Sequence, residues 1–148
     1  MESAKAGRIL LVEDNPDHAE LTVRALKDGI PLCQVFWVKD GEEALDFLVH
    51  RGRYASVPPV PRPSLILLDI NLPKIDGHAV LQRIKSDDGL RAIPVVMLST
   101  SCRDDEVART YQAGANSYVA KPARFADFIR CVRDLALYWA VTCLLPKP

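Results

Sequence analysis

Reactive polar side chains follow four of the short apolar runs in this sequence. They are Glu13 and Asp14 after RILLV, Asp69 after LILL, Ser99 after PVVML, and Lys121 after SYVA. Carboxylates that lie close together repel one another unless a cation sits among them. Oxygen ligands suit a hard cation that keeps several waters and takes a further ligand from a phosphate. The three carboxylates therefore indicate a Mg²⁺ site, provided that the fold brings them together.

The other groups extend this site towards phosphoryl chemistry. A central carboxylate such as Asp69 can attack phosphorus. Lys121 and Ser99 can bind the phosphoryl oxygens as negative charge develops on them. Each residue taken alone has a plainer explanation, as a helix cap, a turn cap, a loop hydroxyl or a solvated lysine. The hypothesis depends on all of them lying at one edge of the fold.

The pattern of the whole chain predicts such an edge. Apolar runs predict five strands, at residues 8–12, 34–38, 65–68, 94–98 and 117–120. Segments of helical period follow them, at 16–29, 41–50, from 76 onward, 104–113 and 124–145. Strands that alternate with helices form a parallel sheet covered on both faces. If the strand order is 2-1-3-4-5, the ends of strands one, three, four and five gather these polar groups at one crevice.

Length and composition exclude several classes of protein. The 148 residues are enough for one domain, and we treat 1–148 as a single domain. Lys and Arg total 19 and Asp and Glu total 19, a balance that argues against binding to nucleic acid or to an anionic membrane surface. No signal peptide and no run of ~20 apolar residues is present. We expect a cytoplasmic protein whose cysteines, Cys33, Cys102, Cys131 and Cys143, stay reduced.

Several motifs together resemble the receiver domain of two-component response regulators, over about residues 8–140. They occur in the order and spacing of that family: LLVEDN at 10–15, LDINLP at 68–73, DG at 76–77, LST at 98–100, GA at 114–115 and KP at 121–122. The resemblance implies an α/β, flavodoxin-like doubly wound fold with five parallel strands in the order 2-1-3-4-5 and an extended C-terminal helix. It also implies a signalling protein rather than an enzyme. Such a protein accepts a phosphoryl group from a histidine kinase and loses it slowly by hydrolysis.

The resemblance assigns a role to each site residue. Asp69 would be the phosphoacceptor, and the Lys121 side chain would pair with the phosphoryl group. The peptide bond between Lys121 and Pro122 is often cis in the family. The ligands of Mg²⁺ would be Glu13, Asp14, Asp69 and the backbone carbonyl of Asn71. Ser99 and Tyr118 occupy the two switch positions. Thr100 lies beside the phosphoryl site, where Ala is more common.

The end of the chain predicts an interface. From Leu135 to Leu145 there is no charged residue, and a helix that is apolar on every side should be covered on every side. We expect the extension 135–148 to form a twofold homodimer. The residues proposed for the interface are Leu135, Tyr138, Trp139, Val141, Leu144 and Leu145. The alternative is that the tail folds back onto its own domain.

The extension and the proline-rich segment 51–63 resemble the small response regulators that are paired with bacterial and cyanobacterial phytochromes. This resemblance implies a phytochrome-type histidine kinase as the phosphodonor. The proline-rich segment itself is expected to be an exposed insertion. Since the sequence ends soon after the last helix and contains no DNA-binding domain, we expect a stand-alone receiver that signals to another protein by direct contact.

Three other functions are considered. An Asp-nucleophile phosphatase of the haloacid-dehalogenase type would have a second catalytic Asp where Asn71 stands. A dinucleotide-binding domain would need a Gly-x-Gly-x-x-Gly motif, which the seven glycines do not form. A receiver-like interaction module that works without phosphorylation stays open, although the acidic residues and Lys121 are all present.

Overall fold

Five strands alternate with five α-helices in the computed structural model, which describes residues 7–55, 62–142 and 144. The strands are β1 (Arg8–Val12), β2 (Gln34–Val38), β3 (Leu65–Asp69), β4 (Val95–Ser99) and β5 (Ser117–Ala120). The helices are α1 (Pro16–Gly29), α2 (Gly41–Val49), α3 (Gly77–Lys85), α4 (Asp104–Gln112) and α5 (Phe125–Ala136). A 3₁₀ turn, Gly52–Tyr54, follows α2, and a π-helical segment, Leu137–Thr142, follows α5.

The strands form one parallel sheet in the order β2-β1-β3-β4-β5, which confirms the predicted fold. Alternate residues of the central strands point to opposite faces, as the two-residue period of a strand requires. Leu10, Val12 and Leu68 pack against α2 and α3 on one face. Ile9 and Leu11 pack against α1 and α5 on the other. Burial on both faces explains why these strands read as continuous apolar runs rather than alternating ones.

Three helices that begin at the carboxyl edge of the sheet have side-chain caps at their N-termini. The Asn15 side chain accepts hydrogen bonds from the first turn of α1, Asp40 accepts one from Glu43 N in α2, and Asp76 accepts one from Ala79 N in α3. Such caps satisfy amide groups that would otherwise have no partner. They also fix the loops that follow β1, β2 and β3.

The predicted last helix is only partly α-helical. Helix α5 ends at Ala136, and the chain continues in a wider π-helical turn. Trp139 packs against the core on the α1 and α5 side, whereas Leu137 and Tyr138 are 44% and 54% exposed. No helix in the described part of the chain is long and apolar enough to cross a membrane.

This geometry corrects the proposed interface at one position. Leu135 is 8% exposed because it faces the chain's own core from the apolar side of α5, so it has little surface to offer a second subunit. Tyr138 and Leu144 are exposed, as an interface requires. The side chain of Val141, the whole of Leu145 and the centre of the proline-rich segment, 56–61, lie outside the described residues.

Helix α4 is held to the domain by few buried groups. Thr110 is its buried residue, and its hydroxyl lies 2.9 Å from Nε2 of His78 on α3. Burial lowers the pKa of His78 below its ordinary value of 6.5, and the nearby positive charge of Arg109 lowers it further, against the opposing charges of Asp76 and Glu106. His78 is therefore neutral in the folded protein over a wider pH range than in the unfolded chain.

This shift predicts a pH dependence of stability. As the pH falls through about 6.5, the unfolded chain takes up a proton at His78 that the folded protein excludes, so the free energy of unfolding should decrease. His78→Gln can still hydrogen bond to Thr110 but does not titrate. Urea unfolding at pH 7.5 and pH 5.5 should therefore show a larger loss for the wild type than for His78→Gln. Equal losses in the two proteins would contradict the assignment.

Candidate functional site

The carboxyl ends of four neighbouring strands bring the predicted site residues together. Glu13 and Asp14 follow β1, Asp69 ends β3, Ser99 ends β4 and Lys121 follows β5. Ligand oxygens of the three acidic residues all lie within 4.8 Å of one another. The acidic cluster thus has the spacing at which several carboxylates can share one cation.

Lys121 bridges the two buried carboxylates of this cluster. Its Nζ donates to Oε1 of Glu13 and to Oδ2 of Asp69, each at 2.8 Å. The side chains of Lys121, Glu13 and Asp69 are only 6%, 2% and 8% exposed, so the contact is shielded from water. Asp14 is exposed and faces the solvent side of the cluster.

Burial changes the protonation of this cluster. It raises the pKa of Glu13 to about 7, the negative charge of Asp69 adds to that rise, and the hydrogen bond from Lys121 opposes it. Burial alone would lower the pKa of Lys121, but its hydrogen bonds to Asp69 and Glu13 outweigh burial and raise that pKa. Lys121 is therefore charged at neutral pH, whereas Glu13 is close to its midpoint. A divalent cation beside Glu13 would favour its ionised form.

The loop after β3 closes tightly around Asp69. The Asn71 N–H donates to Oδ1 of Asp69 at 3.0 Å, which places this backbone segment beside the carboxylate. Gly77 begins α3 so close to β3 that a Cβ there would collide with the Asp69 carbonyl oxygen and with Ile70. The Asp76-Gly77 pair is thus explained by geometry: Asp76 caps α3, and Gly77 allows the close approach.

Ser99 and Tyr118, the residues expected at the two switch positions, both contact a residue that the sequence did not single out. Oγ of Ser99 accepts a hydrogen bond from Ser101 N at 3.0 Å. The Tyr118 hydroxyl lies 2.8 Å from the Ser101 carbonyl oxygen and 3.0 Å from Oε1 of Glu106. Ser101 therefore joins the end of β4 to Tyr118 on β5, and Tyr118 in turn contacts Glu106 on α4. Thr100, between the two serines, is exposed.

Two other details differ from the sequence-based expectations. All peptide bonds of the described residues are trans, including that between Lys121 and Pro122, so the cis bond suggested by the resemblance is not found. The difference in free energy between the cis and trans forms of a peptide bond before proline is small, so either form can occur in a folded protein. The sequence also gave no sign that Trp37 on β2 contacts the site: its Nε1 donates to the backbone carbonyl of Glu13 at 2.7 Å.

Comparison with known proteins agrees with this geometry. The model of the response regulator receiver domain matches residues 9–133. The chain belongs to the response regulator receiver domain family. Receiver domains accept the phosphoryl group in two-component phosphorelays and bind a divalent metal, so this chain is a signalling protein whose acidic cluster is in the right place for such an ion.

Two curated relatives match this receiver over most of their length. FilR2 of Methanothrix harundinacea, a probable methanogenesis regulatory protein, is 46% identical over 132 residues, which are 88% of this chain and 82% of FilR2. The response regulator Rcp1 of Synechocystis is 39% identical over 138 residues, which are 93% of this chain and 92% of Rcp1.

Solved structures give the same result. The phosphorylated cyanobacterial phytochrome response regulator RcpA has a TM-score of 0.88 and 41% identity, with 95% of this chain and 99% of RcpA covered. The Mn²⁺-bound form of Rcp1 has a TM-score of 0.88 and 38% identity, with the same coverage of the two chains, 95% and 99%. The receiver fold of this chain is thus shared with a phosphorylated protein and with a metal-bound one.

The buried bridge predicts a large effect of removing Lys121. Lys121→Met leaves Glu13 and Asp69 buried without their cation, and breaking such a pair should lower the free energy of unfolding by roughly 3 kcal/mol at pH 7.5 without metal. The loss should shrink at pH 5, because burial raises the pKa of Glu13 to about 7 and its carboxylate is then protonated. Urea unfolding measures both values, with Lys39→Met, at an exposed position, as the control. A loss no larger than that of the control would contradict the structural role.

Proposed function

We propose that this protein accepts a phosphoryl group on Asp69 from the phosphohistidine of a histidine kinase. The observation that carries the proposal is the bridge from Lys121 to Asp69 and Glu13, with Asp14 within 4.8 Å of both acidic partners. This arrangement puts a nucleophile, a phosphate-binding cation and metal ligands in one cluster. We propose Mg²⁺ as the ion, with Glu13, Asp14, Asp69 and the backbone carbonyl of Asn71 as its ligands.

Each group has a part in the transfer. An Asp69 carboxylate oxygen attacks phosphorus, the bond between phosphorus and the donor imidazole nitrogen breaks, and the imidazole leaves with the electron pair. Lys121, which now donates to Asp69, would donate to a phosphoryl oxygen instead. Bound Mg²⁺ supplies positive charge that neutralises the phosphoryl oxygens. Attack of water on the acyl phosphate would later return the carboxylate.

We propose that the switch works through Ser99, Ser101 and Tyr118. Phosphorylation adds about −1.5 to −2 charge beside Ser99. If the Ser99 hydroxyl turns to donate to a phosphoryl oxygen, the Ser101 N–H loses its acceptor, and Ser101 is also the residue whose carbonyl meets Tyr118. The rearrangement would therefore reach Tyr118 and, through Glu106, helix α4. Thr100 would control the access of water to the acyl phosphate from its exposed position.

We propose a phytochrome-type histidine kinase as the donor and another protein as the recipient of the signal. The support is the similarity to RcpA, a phytochrome response regulator, over 95% of this chain at 41% identity. FilR2, which is 46% identical to this chain, is a probable methanogenesis regulatory protein. The class of the donor kinase is therefore proposed separately from the phosphoryl transfer itself. The competing function is an interaction module that works without phosphorylation. Such a module would not require the buried charges of Lys121, Glu13 and Asp69.

Chemical phosphorylation tests the proposal without the kinase. Incubation with acetyl phosphate and Mg²⁺ should add one phosphoryl group by intact mass, and Asp69→Ala should abolish the gain because it removes the acceptor oxygen. Asp88→Asn, at an exposed position on another loop, is the matched control and should be phosphorylated like the wild type. A gain without Mg²⁺, or a gain that survives in Asp69→Ala, would contradict the proposal.

We also propose a homodimer through the segment that follows α5. Leu137, Tyr138 and Leu144 are exposed at 44%, 54% and 96%, within a stretch that carries no charge between residues 135 and 145. Exposed apolar surface of this kind is typical of a subunit interface.

The proposed dimer predicts that a substitution in this segment halves the molecular mass of the protein in solution. Sedimentation at micromolar concentration should give a dimer for the wild type and a monomer for Tyr138→Glu, because a charge would be buried in the interface. Leu32→Lys changes an apolar residue that is 71% exposed in the loop between α1 and β2, and it should remain dimeric. A monomeric wild type would contradict the proposal and favour the tail that folds back.

A further inference from the structure

Trp37 is held beside the site by a hydrogen bond rather than by deep burial. It lies on the edge strand β2, is 40% exposed and, among the described residues, belongs to neither of the two buried apolar layers that cover the faces of the sheet. Its neighbour Phe36 points to the opposite face and packs against Phe47 with ring centroids 5.4 Å apart. The specific contact of Trp37 is instead the 2.7 Å hydrogen bond from its indole N–H to the Glu13 carbonyl.

The Glu13 carbonyl lies beyond the end of the β1–β2 strand pairing. The β1–β2 pairing ends with Val12 opposite Val38, and the Glu13 N–H still donates to the Val38 carbonyl at 3.1 Å. Beyond this point β2 turns away, and the Lys39 N–H donates to the Glu43 carboxylate instead. The Glu13 carbonyl therefore lies past the last rung of the ladder, and the Trp37 indole supplies a donor for it.

The same carbonyl belongs to the peptide that joins Glu13 to Asp14. Its orientation fixes the direction in which the chain leaves β1 and thus where the Asp14 carboxylate points. On the far side of this peptide, the Asn15 N–H donates to Oε2 of Glu13 at 3.2 Å, and the Asn15 side chain caps α1. With Trp37 on one side and Asn15 on the other, the acidic pair is held before any ion binds.

We propose that Trp37 is a positioning residue of the metal site, which holds the Glu13–Asp14 peptide in the orientation that binds the cation. This inference rests on the proposed metal site and adds a residue to it. Groups that hydrogen bond to the scaffold of metal ligands commonly change metal affinity by tenfold or more when they are removed. A merely structural role on β2 would instead reduce stability and leave the affinity unchanged.

The indole N–H itself is a probe of this role. In a ¹⁵N-labelled protein, Trp37 and Trp139 give the two indole N–H signals, and Trp139→Phe assigns them. Addition of Mg²⁺ should shift the Trp37 signal, because its acceptor carbonyl is joined directly to the proposed ligands, and should leave the Trp139 signal in place. This measurement needs no change at position 37 and does not depend on phosphorylation activity.

Substitution then measures the contribution of the contact. Trp37→Phe keeps an aromatic ring but removes the donor, and it should raise the Mg²⁺ dissociation constant about tenfold. Phe36→Leu, its neighbour on the opposite face of β2, controls for a general loosening of the strand and should keep the wild-type affinity. Backbone amide shifts near Asp14 report binding in all three proteins.

The outcomes separate this inference from the proposed function. A Trp37 signal that does not move while the wild type binds Mg²⁺, or equal affinities for Trp37→Phe and Phe36→Leu, would overturn the role of Trp37 and leave the metal site intact. Absence of Mg²⁺ binding in the wild type would overturn the metal site and, with it, this inference.

Discussion

The buried ion pair network of Lys121, Glu13 and Asp69 is the constraint on which the site depends. Three carboxylates within 4.8 Å would repel one another, and two of them are almost completely buried. A single ammonium group, shared at 2.8 Å with both buried partners, offsets much of that repulsion. One ammonium group does not balance the charge of three carboxylates, so binding of a further cation would stabilise the cluster. The same lysine donates to Asp69, the carboxylate proposed to accept the phosphoryl group.

The parallel sheet determines where these charged groups lie. Its apolar strands end side by side, so residues far apart in the chain reach one edge. Close packing then fixes the loops: Gly77 lets α3 approach the end of β3, and Asn15 anchors the start of α1. The loop after β4 is held differently, by hydrogen bonds of Ser101 to Ser99 and Tyr118 rather than by buried apolar contacts. The acidic cluster thus lies where caps and close packing fix the loops, and the proposed switch lies in the loop that hydrogen bonds hold.

Much of this arrangement could be predicted from the sequence, because apolar runs that end in polar residues mark both the strands and the site. The bounds of β1, β2 and β5 are those that the runs predicted, and the acidic cluster forms where the strand order placed it. The end of α5 could not be predicted, because the residues beyond Ala136 continue the same apolar composition while their backbone widens to a π-helix. The contact between Trp37 and Glu13 was also missed, since it depends on where the β1–β2 ladder stops, which no local pattern records.

Direct location of the ion tests the central claim, that this cluster is a divalent metal site organised around Asp69. Crystals grown with Mn²⁺, which reports its position by anomalous scattering, should show one peak beside the carboxylates of Glu13, Asp14 and Asp69 and the backbone carbonyl of Asn71. Lys121 should remain within hydrogen-bond distance of a carboxylate oxygen of Asp69. A peak elsewhere in the molecule, or none at this edge of the sheet in crystals that hold Mn²⁺ at other positions, would contradict the account.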